Sequence, residues 1–189
     1  MRASMTSGLN SENCRGHDCL FGAPRGFWGG VALVAMAAKN GGQNEAALDA
    51  LKPKPGHSVL EIGCGPGMGL RAALKRVGRE GFVAGVDHAG TAAHFAAHAV
   101  HGAVRKGRAI AMRADVIDLP FRDLMFDGAF AVNSFQFWPD PARALREIAR
   151  VLAPGARLVI TQRASNPDNP TTFAAPLAAW IASARRRRC

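Results

Sequence analysis

Tyrosine is absent from this 189-residue chain, and no stretch interleaves aromatic with basic residues in the way of a ribonucleoprotein motif. No apolar run approaches the roughly 20 residues that a membrane-spanning helix requires. The N-terminus has no hydrophobic segment followed by a cleavage site, so a cytoplasmic rather than a secreted protein is expected. Cysteine is sparse: Cys14, Cys19, Cys64 and Cys189 form no disulfide framework. Cys14, His17, Asp18 and Cys19 crowd into six residues, too tight for one tetrahedral zinc, and no second cluster follows, so no metal site is assigned. Acidic residues are also outnumbered, giving a formal net charge of +10. Four of the positive charges are the terminal run Arg185 to Arg188. Arg71, Lys75, Arg76 and Arg79, and then Arg143, Arg146 and Arg150, fall at spacings expected of solvated helix faces. Nucleic acid is therefore not the expected partner.

What the chain does have is concentrated in Ser58-Val59-Leu60-Glu61-Ile62-Gly63-Cys64-Gly65-Pro66-Gly67-Met68-Gly69. A short apolar run predicts a buried strand, a glycine-dense turn follows, and Leu70 to Val77 has helical periodicity. Strand, tight turn and helix open a nucleotide-binding α/β unit, in which glycine lets the backbone approach its ligand. A dinucleotide fingerprint would need a glycine where Met68 stands; the shifted spacing Gly67-x-Gly69-x-x-Ala72 starts several residues beyond the strand. Glu61 discriminates further. A carboxylate at the end of a buried strand is costly unless paired, and just before the loop it can meet a cationic or amine-bearing ligand.

These residues resemble the first motif of the class I S-adenosylmethionine-dependent methyltransferases, an acidic residue, one spacer, then Gly-x-Gly-x-Gly. Glu61, Gly63, Gly65 and Gly67 match it position for position. The order that follows fits the same resemblance from about Asn44 to Arg163. Phe82 to Asp87 is a predicted second strand ending in an acid, which in Rossmann-like units accepts hydrogen bonds from ribose hydroxyls. His88 follows it, where the adenine ring would lie against a side chain. After a third strand over Ala109 to Arg113, the resemblance sets Asp115 at the adenine amino group and Val116 beside the ring. A fourth strand over Phe126 to Asn133 brings Asn133-Ser134, at its carboxyl end, near the methionine part of the cofactor. Pro139 to Leu152 is a predicted helix and Ala156 to Thr161 a fifth strand.

The expected fold class is α/β, a Rossmann-like three-layer sandwich with a mainly parallel sheet. Three segments are expected. Residues 1–26 form a flexible N-terminal stretch. Residues 27–163 form the cofactor-binding domain with its leading helices, one over Val31 to Ala38 and another capped by Asn44. Residues 164–189 form a C-terminal helix, from Thr171 to Ala184, and the basic tail. The family's final antiparallel hairpin is expected to be missing, which would leave the fifth strand's edge bare unless the C-terminal segment or a second copy of the chain covers it. A homodimer through that edge or the C-terminal segment is one expectation.

The resemblance implies methyl transfer from S-adenosyl-L-methionine to a small-molecule acceptor. Asn133-Ser134-Phe135-Gln136 is not the Asn/Asp-Pro-Pro-Tyr/Phe loop of amino-directed nucleic-acid methyltransferases. Phe135, Phe137 and Trp138 are candidates for an aromatic wall near the methyl group, or for packing under the next helix. No catalytic base is named. Two alternatives stand beside methyl transfer: a catalytically inactive binding or regulatory relative, favoured by the missing hairpin, and a nicotinamide-dependent reductase, which Glu61 opposes. Ala89-Gly90-Thr91-Ala92-Ala93 departs from the family where serine and methionine are usual. His94, His98 and His101 sit at helical spacing after the ribose acid and are expected to be solvated or half-buried.

Overall fold

Alternation of side chains along the strands divides the apolar residues between two layers, and the computed structural model describes this arrangement for residues 41–162 and 171–176. Helix α1 covers residues 41–51. Strand β1 (Ser58–Ile62), helix α2 (Met68–Val77), strand β2 (Phe82–Asp87) and helix α3 (Gly90–Ala99) follow, then the short helix α4 (His101–Val104) and strand β3 (Ala109–Arg113). Strand β4 (Phe126–Val132), a 3₁₀ turn (Phe135–Phe137), helix α5 (Pro141–Val151), strand β5 (Leu152–Gln162) and strand β6 (Thr171–Pro176) complete it. The expectations over residues 1–40, including the leading helix over Val31 to Ala38, lie outside the described residues, as does everything after Pro176.

The sheet order is β3-β2-β1-β4-β5-β6. Strands β1 to β5 are mutually parallel, whereas β6 runs antiparallel to β5 with Ile160 opposite Phe173. Leu60, Ile62, Ala84, Val86, Ala129, Ala131, Leu158 and Ile160 face the α5 side, where Leu145 and Ile148 pack on them. Val59, Val83, Phe130 and Val159 face the other layer, with Leu48 of α1, Leu70 of α2 and Ala96 of α3. That is the expected three-layer sandwich. Helix α5 starts where the Asp140 side chain accepts a hydrogen bond from the Arg143 amide at 3.0 Å, with Pro141 at its first position.

Three sequence expectations are corrected. Thr171 to Pro176 is a strand, not the start of a helix: the alanine-rich composition favours helix, but pairing with the open edge of β5 satisfies a row of backbone groups that would otherwise be bare. The final antiparallel element is thus present in part, as one strand, and the β5 edge is taken by this chain's own β6 rather than by a second copy. Asn44 is not a cap, since it lies inside α1 and is buried. Finally, Arg150 is not a solvated charge. Its guanidinium donates to the carbonyls of Leu119 (2.8 Å) and Phe121 (2.7 Å) and to the carboxylates of Asp123 and Glu147. The Glu147 carboxylate in turn accepts from the Leu119 amide at 3.1 Å. The pair staples the loop between β3 and β4 onto α5.

Arg150→Ala is expected to destabilise the domain by about 2 kcal/mol, a figure kept low because the arginine is one-third exposed and its ion pairs are screened. Hydrogen bonds from Arg150 hold the Glu147 carboxyl below its usual range. A depressed carboxyl stabilises the fold above its unfolded value and loses that contribution as pH falls through the folded value. The difference between wild type and Arg150→Ala in urea unfolding should therefore shrink as pH drops below about 4.5. A difference independent of pH would count against the clamp.

Candidate active site

The turn after β1 takes a left-handed backbone, which favours glycine, at three points. Gly63, Gly65 and Gly67 all have positive φ, at 73°, 49° and 85°. A Cβ on Gly63 would collide with the Ser134 side chain, and one on Gly67 would lie 2.8 Å from the Ala96 Cα. One on Gly65 would meet nothing within 4 Å, because it would project into open space. Gly69, at the start of α2, has a different reason: the Glu61 carboxylate occupies the place of its Cβ.

Glu61 itself shares a face with Val59, so its side chain enters the layer under α2. It accepts a hydrogen bond from the Leu70 backbone amide, in the first turn of a helix that has no acidic residue there and no capping side chain of its own. The strand thus supplies a hydrogen-bond acceptor that the helix N-terminus lacks. Glu61 is 3% exposed, and its Oε2 has no hydrogen-bond partner among the described residues. Burial first, and the Asp87 charge second, push its carboxyl well above the usual range. Burial likewise pushes the Cys64 thiol up, which fits a small packed residue rather than a nucleophile.

Asp87, at the carboxyl end of β2, is buried and ties two loops together. Its Oδ2 accepts from the Gly65 amide and its Oδ1 from the Ala89 amide, each at 2.9 Å. His88 beside it is exposed, with Nδ1 3.6 Å from Asp87 Oδ1. After β3, Asp115 turns the chain by accepting from the Ile117 amide at 3.1 Å and is exposed, while Val116 is buried. At the end of β4, Asn133 has a φ of 52°, a left-handed conformation that asparagine tolerates better than most residues.

Sheet order now aligns these groups. Reading β3-β2-β1-β4 along the carboxyl edge gives Asp115 and Val116, then Asp87 and His88, then the glycine turn, then Asn133. They border one cleft of about 330 Å³, located where the strand order reverses, the usual ligand crevice of open α/β sheets. Glu61, Gly63, Gly65, Asp87, His88, Asp115, Val116 and Asn133 all line it. Gly67 does not; it packs against Ala96 instead, so its glycine serves the turn. Ser134 stands on the wall beside Asn133, whereas sequence reading took Asn44 only for a helix cap and missed its place there. A buried polar residue on α1 carried no motif, although its place in the sequence three residues before an apolar helical stripe was a usable signal. Phe137, Trp138 and Pro139 line the cleft, whereas Phe135 contacts Trp138 edge-on. Exposed His94 and His98 form an edge-on pair on α3, outside the cleft lining. Among the described residues no cluster of three or more histidine, cysteine or acidic side chains could hold a metal, and no helix is long and apolar enough to cross a membrane.

The residues fit a ligand with a cation near Glu61. An orphaned buried carboxylate oxygen and an open position beside Gly65 are what S-adenosylmethionine, with its ammonium and sulfonium, would need.

This fold and cleft define a Rossmann-like methyltransferase domain, and comparison with known proteins agrees. The family profile described as "Methyltransferase domain" matches residues 60–160. O-methyltransferase cnsE of Penicillium expansum is 36% identical over 123 residues, 64% of this chain and 44% of that protein. The 2-phytyl-1,4-naphtoquinone methyltransferase of a Nostoc species is 35% identical over 117 residues, 61% of this chain and 51% of that protein. The solved structure of a SAM-dependent methyltransferase from Aquifex aeolicus superposes with a TM-score of 0.64 at 22% identity, covering 73% of this chain and 78% of that one. The chain belongs to the class I S-adenosylmethionine-dependent methyltransferase family, whose cofactor is S-adenosyl-L-methionine. It spans about half the length of the relatives it matches.

A carboxyl raised by burial makes a test possible. The unfolded state ionises Glu61 first, so its contribution to stability is full below about pH 4.5 and is lost as pH rises toward the folded value. Glu61→Gln is therefore expected to gain in thermal stability relative to wild type as pH rises from 4 to 8, while binding S-adenosylhomocysteine more weakly. A pH-independent stability difference, or undiminished affinity, would sink the assignment.

Proposed function

We propose that this protein transfers a methyl group from S-adenosylmethionine to an oxygen of a small-molecule acceptor. The observation that carries the cofactor half is the buried Glu61 with its unpartnered Oε2 beside the glycine turn. The names of relatives such as O-methyltransferase cnsE support the oxygen acceptor. In this reading Glu61 receives the ammonium, and the backbone of Gly63 and Gly65 approaches the cofactor with Gly67 holding the turn. Asp87 receives the ribose hydroxyls, and His88 and Val116 flank the adenine. Asp115 meets the adenine amino group, and Asn133 lies by the methionine part. When bound, the cofactor supplies an already activated methyl on a sulfonium, so the chain's task is to hold the acceptor in line and exclude water. Phe137, Trp138 and Pro139 supply an apolar wall for a flat acceptor. The leading segment from residue 27 belongs to the same functional unit, and a reducing, cytoplasmic setting accords with the free thiol of Cys64.

The test incubates the full chain with methyl-labelled S-adenosylmethionine and a panel of phenols, quinols and hydroxy acids. Label transfer to oxygen supports the proposal. Tight S-adenosylhomocysteine binding without transfer to any acceptor would favour a binding protein instead.

A further inference from the structure

The residue after β4 is held by a chain of side-chain amides that crosses the end of the sheet. Gln162 of β5 donates to Gln136 Oε1 at 2.6 Å, and Gln136 Nε2 donates to the Asn133 carbonyl at 2.9 Å. Asn133 Nδ2 then donates to Gln43 Oε1 on α1 at 2.7 Å. Gln43 is only 7% exposed, and its bond to Asn133 spans 90 residues of sequence. It is not among the cleft-lining residues, whereas Asn133 and the neighbouring Asn44 are. Helix α1 is fixed independently: Leu48 and Leu51 are buried, Leu51 packs over Gly128, and Arg76 of α2 bridges to Glu45 and Asp49. A rigidly seated helix thus grips the amide of a residue in a left-handed conformation at the cleft rim.

We infer that Gln43 is a positioning residue for the cofactor, fixing the Asn133 amide so that α1 sets affinity for the amino-acid end of S-adenosylmethionine. This rests on the cofactor reading above. Sheet order supports the choice of end: Asn133 follows β4 next to Glu61 of β1, while Asp87 and Asp115 lie on the opposite side of the glycine turn. Without the Gln43 acceptor, the Asn133 amide loses its hydrogen bond to α1, and the left-handed backbone loses one of its restraints. Such a loss should be felt by a ligand that reaches this end and not by one that stops at the ribose.

Two probes separate these cases, S-adenosylhomocysteine and 5′-methylthioadenosine, which has no amino-acid part. Calorimetry on Gln43→Leu should show S-adenosylhomocysteine bound about five- to tenfold more weakly, with 5′-methylthioadenosine unchanged. Adding Gln43→Leu to Asn133→Gly, which keeps the backbone conformation but removes the amide, should cost little further. Should Gln43→Leu fail to fold, Gln43→Met retains the chain length without the acceptor and serves the same comparison. Equal losses for both probes, no loss for S-adenosylhomocysteine, or additive effects in the double variant would overturn the assignment and leave Gln43 a structural residue. Wild-type protein that binds neither probe would overturn the cofactor reading, and this inference with it.

Discussion

Gly65→Val is expected to abolish S-adenosylhomocysteine binding, a loss of 100-fold or more, in a protein that still folds. The other two glycines of the motif do not allow so clean an outcome. A side chain on Gly63 would strike Ser134, whose hydroxyl donates to the Ile62 carbonyl at 2.8 Å, and one on Gly67 would strike α3. Both substitutions would disturb packing before any ligand arrived. Gly65 has only open space around an added Cβ, with no protein atom within 4 Å, and because Gly65 lines the cleft a side chain there takes volume from it. The positive φ of 49° makes a branched residue strained, at a cost of about 1–3 kcal/mol to the fold. Gly65→Asn is the companion variant, because asparagine tolerates this backbone and separates strain from occlusion. It too should bind weakly while melting closer to wild type. Circular dichroism and calorimetry read the two effects separately. Native affinity in either folded variant would mean that the ligand sits elsewhere.

The parts of this domain that were legible in the sequence are those with local causes. Strands β1, β2 and β3 were readable because short apolar runs are bounded by glycine or acid, and the ends of β2 and β3 were found to the residue. Glu61, Asp87 and Asn133 were legible because each stands at the carboxyl end of a strand, where the topology delivers a side chain to the cleft. What escaped was non-local. The strand at Thr171 to Pro176 exists through its pairing with β5, a tertiary influence that overrides an alanine-rich composition. Arg150 looked like any basic residue on a helix face, since the carbonyls it binds belong to a loop about thirty residues away. Gln43 was invisible for the same reason: a pairing across 90 residues leaves no periodic trace. Gly69 was read as part of an alternative dinucleotide spacing, but its requirement comes from Glu61 beneath it. The same contact explains why the glycine turn and the acidic residue form one device rather than two adjacent signals.

That coupling extends to Asp87, and Asp87→Ala should weaken S-adenosylhomocysteine binding by about 3 kcal/mol, the upper end for a charge-assisted hydrogen bond. Contact with the ribose hydroxyls is one part of the loss. The other comes from the protein alone: without this carboxylate, the Gly65 and Ala89 amides lose the acceptor that holds both loops in register, so the glycine turn must be ordered by the ligand itself. Asp87→Asn distinguishes the parts, because an amide retains one acceptor oxygen for one loop and removes the charge. An intermediate loss is expected for it. The substitution also acts on Glu61, whose carboxyl Asp87 helps to hold above its usual range. Removing that charge favours ionised Glu61, which strengthens its attraction for an ammonium and offsets a fraction of the damage. The offset cannot operate when Glu61→Gln is already present, so the double variant should lose more affinity than the two single losses sum to. Unchanged affinity in Asp87→Ala, with the fold intact by circular dichroism, would remove Asp87 from the cofactor site and leave it the role of a loop tie.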